Sequence, residues 1–461
     1  MINSNTFVHM FGWKRLAMTT LLAAAVVTGW QPLSAQQQPP IVEGEIRPGG
    51  GAAVRYAVPD FVAATPDLAE TGRTLAQVLW NDLEFEREFY MIPRDTYSSI
   101  PRVAAGALPP FASWRELGAD ALVSGTVEKV GDLLRVDFRL YRVSDQQQVL
   151  AARYEVAARS PRVLAHRMSD EIFIKQRNLK GVARTKLAFI SDRNREPLVG
   201  TVEKREVKEL YISDYDGANE QRITVSRGLN LNPSWSPDAN SIAYTAFGKS
   251  GPDIVVSRIY EGLLQRPAKG IGNNYLPSFS PDGTRVAFVS TRDGNMEIYV
   301  ANVDGSNLRR LTNHPSYDLT PTWSPSGSQI AFTSDRSGSP QVYSINIDGL
   351  GLRLISQGEA EADRPTWSPA PFNEIAFTAR RAGWYDVKIY DAAAGTSRWL
   401  TDNRSTGGSN ESPAFSPTGR HLAFTSTRTG SMQIFVIGRD GRGERQITKT
   451  GNNQTPSWSP N

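Results

Sequence analysis

The residues of this chain that could do acid–base chemistry recur at fixed positions of a repeat. Four aspartates stand before glycine at one shared position of the repeat, at Asp216, Asp304, Asp348 and Asp440. Asp238 and Asp282 follow Ser-Pro pairs in the same repeat. A catalytic carboxylate pair must be local and unique, whereas Asp before Gly favours a tight turn. We therefore predict that these carboxylates shape turns.

Short Ser-Asp-Arg and Ser-Thr-Arg motifs form a second recurring set. They span residues 191–193, 290–292, 334–336 and 426–428. Because they share one position of the repeat, we interpret them as strand-end turns and ion pairs rather than as catalytic groups.

The common catalytic and metal-binding motifs are absent from the sequence. It contains no G-x-S-x-G, H-E-x-x-H, C-x-x-C or P-loop pattern. The histidines are scattered, at His9, His166, His314 and His421. Such scattered ligands do not predict a metal site. The sequence therefore predicts no active site, no metal and no cofactor.

One phrase, P-x-[WF]-S-P, occurs six times in the second half of the chain. Its aromatic residue falls at Trp235, Phe279, Trp323, Trp367, Phe415 and Trp458, at intervals of 44, 44, 44, 48 and 43 residues. Each unit also holds three further short runs rich in β-branched and aromatic residues, separated by S-P-D-G and D-G turns. Four short strands at a period near forty are typical of a propeller blade. The 48-residue interval marks one irregular blade.

The predicted ring closes with strands from its two ends. The sixth P-S-W-S-P lacks a following strand, and residues 186–191, ahead of the first repeat, supply one. This pairing removes an open sheet edge. The fold class is therefore predicted as mainly β, with a six-bladed β-propeller over 185–461 preceded by a small α/β domain.

The central channel of a propeller opens at each end, and we call one opening the mouth. If P-x-W-S is the innermost strand of each blade, the residues before each repeated proline are expected to surround this mouth. Unlike the strand positions, these residues differ from blade to blade, at 231–232, 275–276, 319–320, 363–364, 411–412 and 454–455. Tyr275, Leu276 and Leu319 would place apolar anchors for a protein partner there. The alternative is an idle, solvated rim.

The rest of the chain predicts an exported protein with a second domain. Residues 1–35 contain Lys14 and Arg15, an apolar core and a final small residue, as in a signal peptide, although a membrane anchor is the alternative. The chain has no cysteine, so it is neither a lipoprotein nor a disulfide framework, and its net charge of +4 gives no nucleic-acid footprint.

After the predicted signal peptide, the segment 36–52 is rich in Gln, Pro and Gly. This composition predicts a flexible segment, either a frayed terminus or a tether for a partner. Residues 53–180 change pattern, with strands predicted over 53–58, 120–130, 133–143 and 148–156 and helices over 67–89 and 161–175. Strands and helices in this number predict a small α/β domain.

These features together resemble the TolB family, the periplasmic component of the Tol-Pal envelope system. The P-x-[WF]-S-P-[DST]-G units resemble its six-bladed propeller, and residues 57–61, 114–125, 166–173 and 181–191 are similar to its amino-terminal domain and junction. The resemblance covers the chain from about residue 41. It implies a monomeric, periplasmic, non-enzymatic adaptor that is not embedded in the membrane and supports outer-membrane integrity and cell division.

The resemblance also implies two partners. The propeller mouth would receive the lipoprotein Pal, through positions that correspond here to Asn273, Asn274, Tyr275, Leu276 and Leu319. We add Thr320, Asp363 and Arg364 to this predicted surface, because they precede the repeated prolines at the same mouth. The mature N-terminus would engage TolA, here through Ile41, Val42, Glu43, Ile46 and Arg47. The loop residues depart in type from the family's usual ones, so the Pal contacts are carried over by position. The N-terminal segment is rich in Gln and Pro and lacks a clean match to the family's usual tail. The alternatives are an exported propeller enzyme resembling a polysaccharide lyase, or a glycan- or peptide-binding sensor.

Overall fold

The computed structural model describes residues 53–157, 161–197 and 207–461. They divide into two compact units, one ending at Arg184 and the other beginning at Thr185. The first is a small α/β domain and the second a six-bladed propeller, so the predicted fold class is confirmed.

The described part of the first unit alternates short strands and helices. Its strands are β1 (Arg55–Ala57), β2 (Val62–Ala63), β3 (Tyr90–Met91), β4 (Ala121–Val130), β5 (Leu133–Arg142) and β6 (Gln147–Ala157). Its helices are α1 (Ala69–Glu86), α2 (Phe111–Glu116) and α3 (Pro161–Arg177), with 3-10 turns at Pro66–Leu68 and Arg94–Ser99. The sheet order is β3-β1-β4-β5-β6, with β2 beside β4.

Helix α1 forms because its apolar residues repeat at helical spacing. Leu75, Val78, Leu79 and Leu83 lie on one face and are buried against the sheet and α3. The helix stops at Arg87, which adopts the left-handed conformation with φ 60°. Gly72 allows the helix to approach the loop before it, because a Cβ there would lie 2.3 Å from the carbonyl oxygen of Phe61.

The second unit contains, within the residues described, six four-stranded antiparallel sheets. The strands are β7 (Lys186–Ser191), β8 (Glu209–Asp214), β9 (Gln221–Arg222), β10 (Asn230–Trp235), β11 (Ser241–Gly248), β12 (Gly251–Arg258), β13 (Leu264–Gln265), β14 (Asn274–Phe279), β15 (Arg285–Ser290), β16 (Glu297–Asn302), β17 (Arg309–Arg310), β18 (Asp318–Trp323), β19 (Gln329–Ser334), β20 (Gln341–Asn346), β21 (Arg353–Leu354), β22 (Ala362–Trp367), β23 (Glu374–Arg381), β24 (Trp384–Asp391), β25 (Thr396–Trp399), β26 (Asn410–Phe415), β27 (His421–Ser426), β28 (Gln433–Gly438), β29 (Arg445–Gln446) and β30 (Asn453–Trp458). Blade 1 is β30-β7-β8-β9, blade 2 is β10–β13, blade 3 is β14–β17, blade 4 is β18–β21, blade 5 is β22–β25 and blade 6 is β26–β29. A short helix, α4 (Asn403–Thr406), follows β25.

The ring closes as the sequence predicts. Strand β30 pairs antiparallel with β7, with Trp458 opposite Leu187 and Gln454 opposite Ile190. The backbone N–H of Lys186 also donates to the Ser459 hydroxyl at 2.8 Å. The first strand of each blade lies beside the first strands of its two neighbours, so the P-x-W-S strands are innermost.

The recurring aspartates make turns, as predicted. In the D-G turns, the Asp304 carboxylate accepts from the backbone N–H of Ser306 at 2.8 Å, and Asp348 accepts likewise from Leu350 at 2.9 Å. In the S-P-D turn, Asp238 accepts from the backbone N–H of Asn240 at 3.1 Å. These contacts satisfy turn backbone groups and account for the recurrence.

The Ser-x-Arg motifs build a repeated packing unit. In blade 4 the Arg336 Nε–H donates to the Ser334 hydroxyl at 2.9 Å, and its guanidinium lies over the stacked rings of Phe332 and Tyr343. The arginine also donates to Asp318, the first residue of β18, at 2.8 Å. Equivalent arginines lie over paired aromatic rings at Arg193, Arg292 and Arg428. The structural interpretation of these motifs is confirmed.

Candidate functional site

The strand order assigns each connection to one end of the propeller. The first residue of an inner strand pairs with the last residue of the second, as Asn274 does with Ser290. The loops that join blades, and those between second and third strands, therefore share one end, which we call the mouth face. The S-P-D-G and D-G turns lie at the opposite end.

Each inner strand carries a β-bulge at the mouth face, immediately before its proline. In blade 3, Leu276 and Pro277 together lie between pairs Tyr275–Val289 and Ser278–Ala287, so two residues oppose one. The bulged residues have φ between 50° and 57°, at Asn232, Leu276, Thr320, Arg364, Ser412 and Thr455. Residues other than glycine rarely adopt this backbone conformation, so the bulge is a strained position that surrounding contacts must stabilise.

Hydrogen bonds between blades hold several of these bulges. The backbone N–H of Leu276 donates to the Thr245 hydroxyl of the preceding blade at 3.0 Å, and that of Arg364 donates to Thr333 at 3.1 Å. In the same way, the backbone N–H of Ser412 donates to the Thr378 hydroxyl at 3.0 Å, and that of Thr455 donates to the Thr425 hydroxyl at 3.1 Å. The backbone at the mouth is therefore fixed by hydrogen bonds that the first strand of one blade donates to the second strand of the preceding blade.

The structure buries the apolar residues that the sequence proposes as anchors. Tyr275, Leu276 and Leu319 are only 8%, 4% and 8% exposed and belong to one hydrophobic cluster of blades 3 and 4. The Tyr275 ring lies beside Phe247 of blade 2, with ring centroids 6.3 Å apart. Burial raises the pKa of the Tyr275 hydroxyl to about 12. These side chains pack the blades, so the expectation that they stand exposed on the rim is wrong.

The remaining predicted residues of blades 3 and 4 differ in how far they are exposed. Asn274 is fully buried, and its amide donates to Asp253 at 3.0 Å. Asn273 is exposed, while its backbone N–H donates to the Thr291 hydroxyl at 3.0 Å. Thr320 is half-buried and shares a 2.7 Å hydrogen bond with Thr333. Of this group, Asn273 is the residue best placed to meet a partner.

Exposed apolar side chains do occur on the mouth face, in loops that sequence reasoning passed over. Ile271 is 61% exposed, Tyr317 is 40% exposed and Trp384, at the tip of the long β23–β24 hairpin, is 53% exposed. Ile271 and Tyr317 precede the predicted anchors by only a few residues. Their position in blade-joining loops, outside the repeated pattern, is the signal that could have identified them.

The loop that carries Tyr317 is well fixed. The Asn295 side-chain amide donates to the carbonyl oxygens of His314 and Ser316 at 2.6 and 3.0 Å. The backbone N–H of Tyr317 donates to the Asp335 carboxylate at 2.8 Å. A rigid exposed aromatic side chain is the type of residue that dominates protein–protein binding energy.

Blades 5 and 6 contribute charged side chains to the same mouth. Asp363 and Arg364 are half-buried, and their carboxylate and guanidinium lie 3.7 Å apart. The Arg364 guanidinium also donates to the Ser412 hydroxyl of the next blade at 2.9 Å. Burial raises the pKa of the Asp363 carboxyl to about 6, with Arg364 opposing the shift and Glu411 and Glu361 adding to it. The site can therefore change charge near neutral pH.

Replacing Asp363 by asparagine is expected to stabilise the protein above pH 6. Since the folded pKa, about 6, exceeds the ordinary value of 3.8, the native state holds its proton more tightly than the unfolded state. The stabilisation from that proton is complete below the ordinary value and is lost as pH rises through about 6. We expect the variant to gain on the order of 1–3 kcal/mol at about pH 8 and nothing near pH 4. Urea unfolding at both pH values checks this, and a pH-independent difference would contradict it.

Several predictions from the sequence lie outside the described residues. They are the signal peptide and the N-terminal segment with Ile41, Val42, Glu43, Ile46 and Arg47. Among the helices that the structure describes, none combines the length and apolar character needed to cross a membrane.

The fold and the mouth define a class: six-bladed propellers closed by strands from both ends of the domain and preceded by a small α/β domain. Residues 174–461 match the TolB beta propeller domain, and residues 43–149 match the TolB amino-terminal domain. The chain belongs to the TolB family.

Individual relatives agree with this assignment. The chain is 33% identical over 261 residues to the Tol-Pal system protein TolB of Cereibacter sphaeroides, covering 55% of this chain and 54% of the relative. It is 32% identical over 212 residues to the Tol-Pal system protein TolB of Desulfosudis oleivorans, covering 45% and 46%. The chain spans about half the length of the curated relatives it matches. The crystal structure of TolB from Acinetobacter baumannii is similar with a TM-score of 0.73 and 26% identity, over 89% of this chain and 97% of that one.

Proposed function

We propose that this protein is a periplasmic, non-enzymatic adaptor of the Tol-Pal system. In this proposal the mouth face binds Pal, the mature N-terminal segment binds TolA, and the connection supports outer-membrane integrity and cell division. Membership of the TolB family carries the proposal, because the named relatives are Tol-Pal system proteins.

The mouth face supports the choice of binding surface. Ile271 and Tyr317 offer exposed apolar area on adjacent blade-joining loops of the mouth face, and Asp363 and Arg364 of blade 5 place charged side chains at the same end of the propeller. Apolar and aromatic side chains together with arginine are common in protein-binding surfaces. The hydrogen bonds of the Tyr317 loop reduce the entropy that binding must remove.

The enzyme alternative has less support in the same residues. Asp363, Arg364 and Glu411 are grouped in the mouth, as a propeller lyase would require. The Arg364 side chain, however, is already bonded to Ser412 and paired with Asp363. Such contacts fix the side chain in the wall of the mouth, and we favour a role for it in packing and recognition.

Tyr317→Asp and Ile271→Asp are each expected to weaken Pal binding by about 30-fold or more, because a buried interface anchor contributes about 2 kcal/mol or more. Isothermal titration with the Pal periplasmic domain of the same organism measures this. The matched control is Leu350→Asp, since Leu350 is 68% exposed in a D-G turn at the opposite end. Equal losses in all three variants would contradict the mouth assignment, and no binding by the unaltered protein would contradict the Pal proposal.

A deletion variant tests the proposed binding of TolA by the N-terminal segment. Deleting residues 36–51 should abolish TolA binding while the propeller keeps its Pal affinity in the absence of TolA. Unchanged TolA binding after this deletion would contradict the proposed role of the N-terminal segment.

Tyr275→Asp and Leu319→Asp are unsuitable probes of Pal binding, because each would place a carboxylate in a hydrophobic cluster.

A further inference from the structure

A cavity of about 170 Å³ lies between blades 4 and 5 of the propeller. Its lining includes Gln329, Ser344 and Arg353 of blade 4 and Trp367, Asn373 and Ala392 of blade 5. Ser344 is buried, whereas Arg353 and Asn373 are exposed. The cavity belongs to the end of the propeller that carries the S-P-D-G and D-G turns, opposite the mouth face. A cavity of about 150 Å³ can hold a benzene molecule, so this one has room for one six-membered ring.

Blade 4 has a small polar residue at a position where the other blades have larger apolar ones. On the third strand of each blade, this residue lies opposite the repeated alanine of the second strand. In the other five blades it is Ile212, Val256, Val300, Ile389 or Val436. In blade 4 it is Ser344, opposite Ala331. Since protein interiors are closely packed, the smaller side chain leaves space unless the next blade fills it.

Blade 5 has a second small residue beside this space. The residue directly after the third strand is larger in the other five blades, where it is Tyr215, Ile259, Val303, Ile347 or Arg439. In blade 5 it is Ala392. At the junction between blades 3 and 4, by comparison, Val300 and Ile347 pack into one hydrophobic cluster. Serine and alanine replace this pair between blades 4 and 5, which accounts for the cavity.

The same two replacements leave a tryptophan ring open to the cavity. Between blades 3 and 4 the Arg285 guanidinium lies over the Trp323 ring, 4.8 Å from its centroid. In blade 4 Gln329 takes the place of Arg285, and its side-chain amide donates to Asn346 at 2.9 Å. Trp367 is half-buried, while the equivalent aromatic residues of the other five blades are buried. An indole ring is therefore available as one wall of the cavity.

Two polar side chains of the cavity have bonding capacity that the described residues do not use. Ser344 is only 5% exposed, and no hydrogen bond joins its hydroxyl to any residue that the structure describes. A buried hydroxyl without a partner costs free energy. Arg353 donates to the Tyr390 hydroxyl, and its guanidinium lies 5.8 Å from the centroid of that ring. Within the described part of the chain no carboxylate pairs with Arg353, so its other N–H groups can bind an anion.

We propose that this cavity binds a sugar acid, that is, a pyranose ring that carries a carboxylate. The carboxylate pairs with Arg353, because a guanidinium matches the geometry of a carboxylate. The ring lies against the flat apolar face of Trp367. The sugar hydroxyls bond to Ser344, Gln329 and Asn373, whose side chains can both donate and accept. An apolar ring would leave these groups without partners. The site is separate from the mouth face, so this inference does not depend on the proposed function.

Titration with D-glucuronate, followed by the indole N–H resonance of Trp367, tests the proposal. Trp367→Phe identifies that resonance. We expect a dissociation constant on the order of 1 mM, and binding of D-glucose and of cyclohexanecarboxylate that is weaker by about 10-fold or more. No saturable binding of glucuronate at about 20 mM would overturn the proposal and indicate a cavity that holds only water. Equal binding of glucose would overturn the role of Arg353, and equal binding of cyclohexanecarboxylate would overturn the assignment to a sugar.

The repeat itself supplies variants that should fold. Ser344→Val installs a residue type found at this position in other blades, so the melting temperature should stay the same or rise. Because valine fills the cavity and removes the hydroxyl, glucuronate affinity should fall about 10-fold or more. Arg353→Gln should keep the fold and remove the preference for glucuronate over glucose. Unchanged glucuronate affinity in Ser344→Val would overturn the proposal.

A double variant separates the cavity from the serine alone. Val300→Ser combined with Ser344→Val moves the hydroxyl to blade 3, where Arg285 covers Trp323 and Ile347 occupies the adjoining space. This protein should not bind glucuronate, although it still has one serine at the repeated position. Binding as tight as that of the unaltered protein would overturn the proposal, because the cavity between blades 4 and 5 would then not be required.

Discussion

Trp458→Ala is expected to lower the free energy of unfolding by about 3–5 kcal/mol, since truncating a buried tryptophan removes apolar burial and leaves a cavity. Trp458 is buried in β30, the strand that completes blade 1. Its indole N–H donates to the Thr185 hydroxyl at 2.7 Å, and its ring lies beside His421 of blade 6. The substitution therefore weakens both the closing strand and its packing on the neighbouring blade.

Trp384→Ala is the matched control, because it removes the same side chain from an exposed hairpin tip. Its effect should remain within about 0.5 kcal/mol. Urea unfolding followed by far-ultraviolet circular dichroism measures both variants without relying on tryptophan fluorescence. If the two substitutions destabilise the protein equally, closure by β30 does not contribute the stability that we assign to it.

Asp82→Ala is expected to cost about 1–3 kcal/mol in the α/β domain, the range for removing one partner of a buried hydrogen bond. Asp82 on α1 and His166 on α3 are both buried, with the carboxylate oxygen 2.8 Å from His166 Nδ1. Alanine would remove the hydrogen-bond partner of a ring nitrogen that lies in the interior, between the two helices.

The same helix provides the control for this prediction. Glu70 on α1 forms an ion pair with Arg73, but both side chains are well exposed to solvent. Because water screens such a pair, Glu70→Ala should change the free energy of unfolding by about 0.5 kcal/mol or less. Thermal unfolding of the two variants distinguishes the cases, and similar shifts would argue against a structural role for the buried pair.

The propeller could be predicted from the sequence because each blade repeats the same local signals. The turn dipeptides and the apolar runs predict four strands in each blade. The single strand at 186–191, which has no repeat of its own, was predicted to pair with β30. The two long helices and the three long strands of the α/β domain also followed from periodicity. The 3-10 turns, β3 and α2 were not predicted, because segments of two to six residues show no clear period.

The candidate site was less predictable, for a physical reason. Tyr275 and Leu319 occupy the same position as Asp363 and Glu411, and only the neighbouring blade decides whether that position is covered. In blades 3 and 4 the cover includes Phe247 and other apolar side chains from adjacent strands. Such contacts join residues far apart in the sequence, so a local pattern does not reveal them.

The left-handed bulge was missed for a different reason. Each bulged position holds an ordinary residue rather than glycine, so its composition gives no signal of a positive φ. The recurring proline that follows does restrict the preceding residue away from the right-handed helical region. The choice of the left-handed region depends on hydrogen bonds to the preceding blade, such as that from the Leu276 backbone N–H to the Thr245 hydroxyl.

The pairing of β7 with β30 also bears on how fast the domain can fold. The hydrogen bond between Lys186 and Ser459 joins residues 273 positions apart, while the other blades form from strands close together in the chain. Contacts at such separation form slowly, because much chain entropy is lost before they stabilise anything. During synthesis five blades can assemble while β7 still exposes an unpaired edge. Closure is then the last event, and until it occurs the exposed edge of β7 is the part of the nascent ring most open to mispairing.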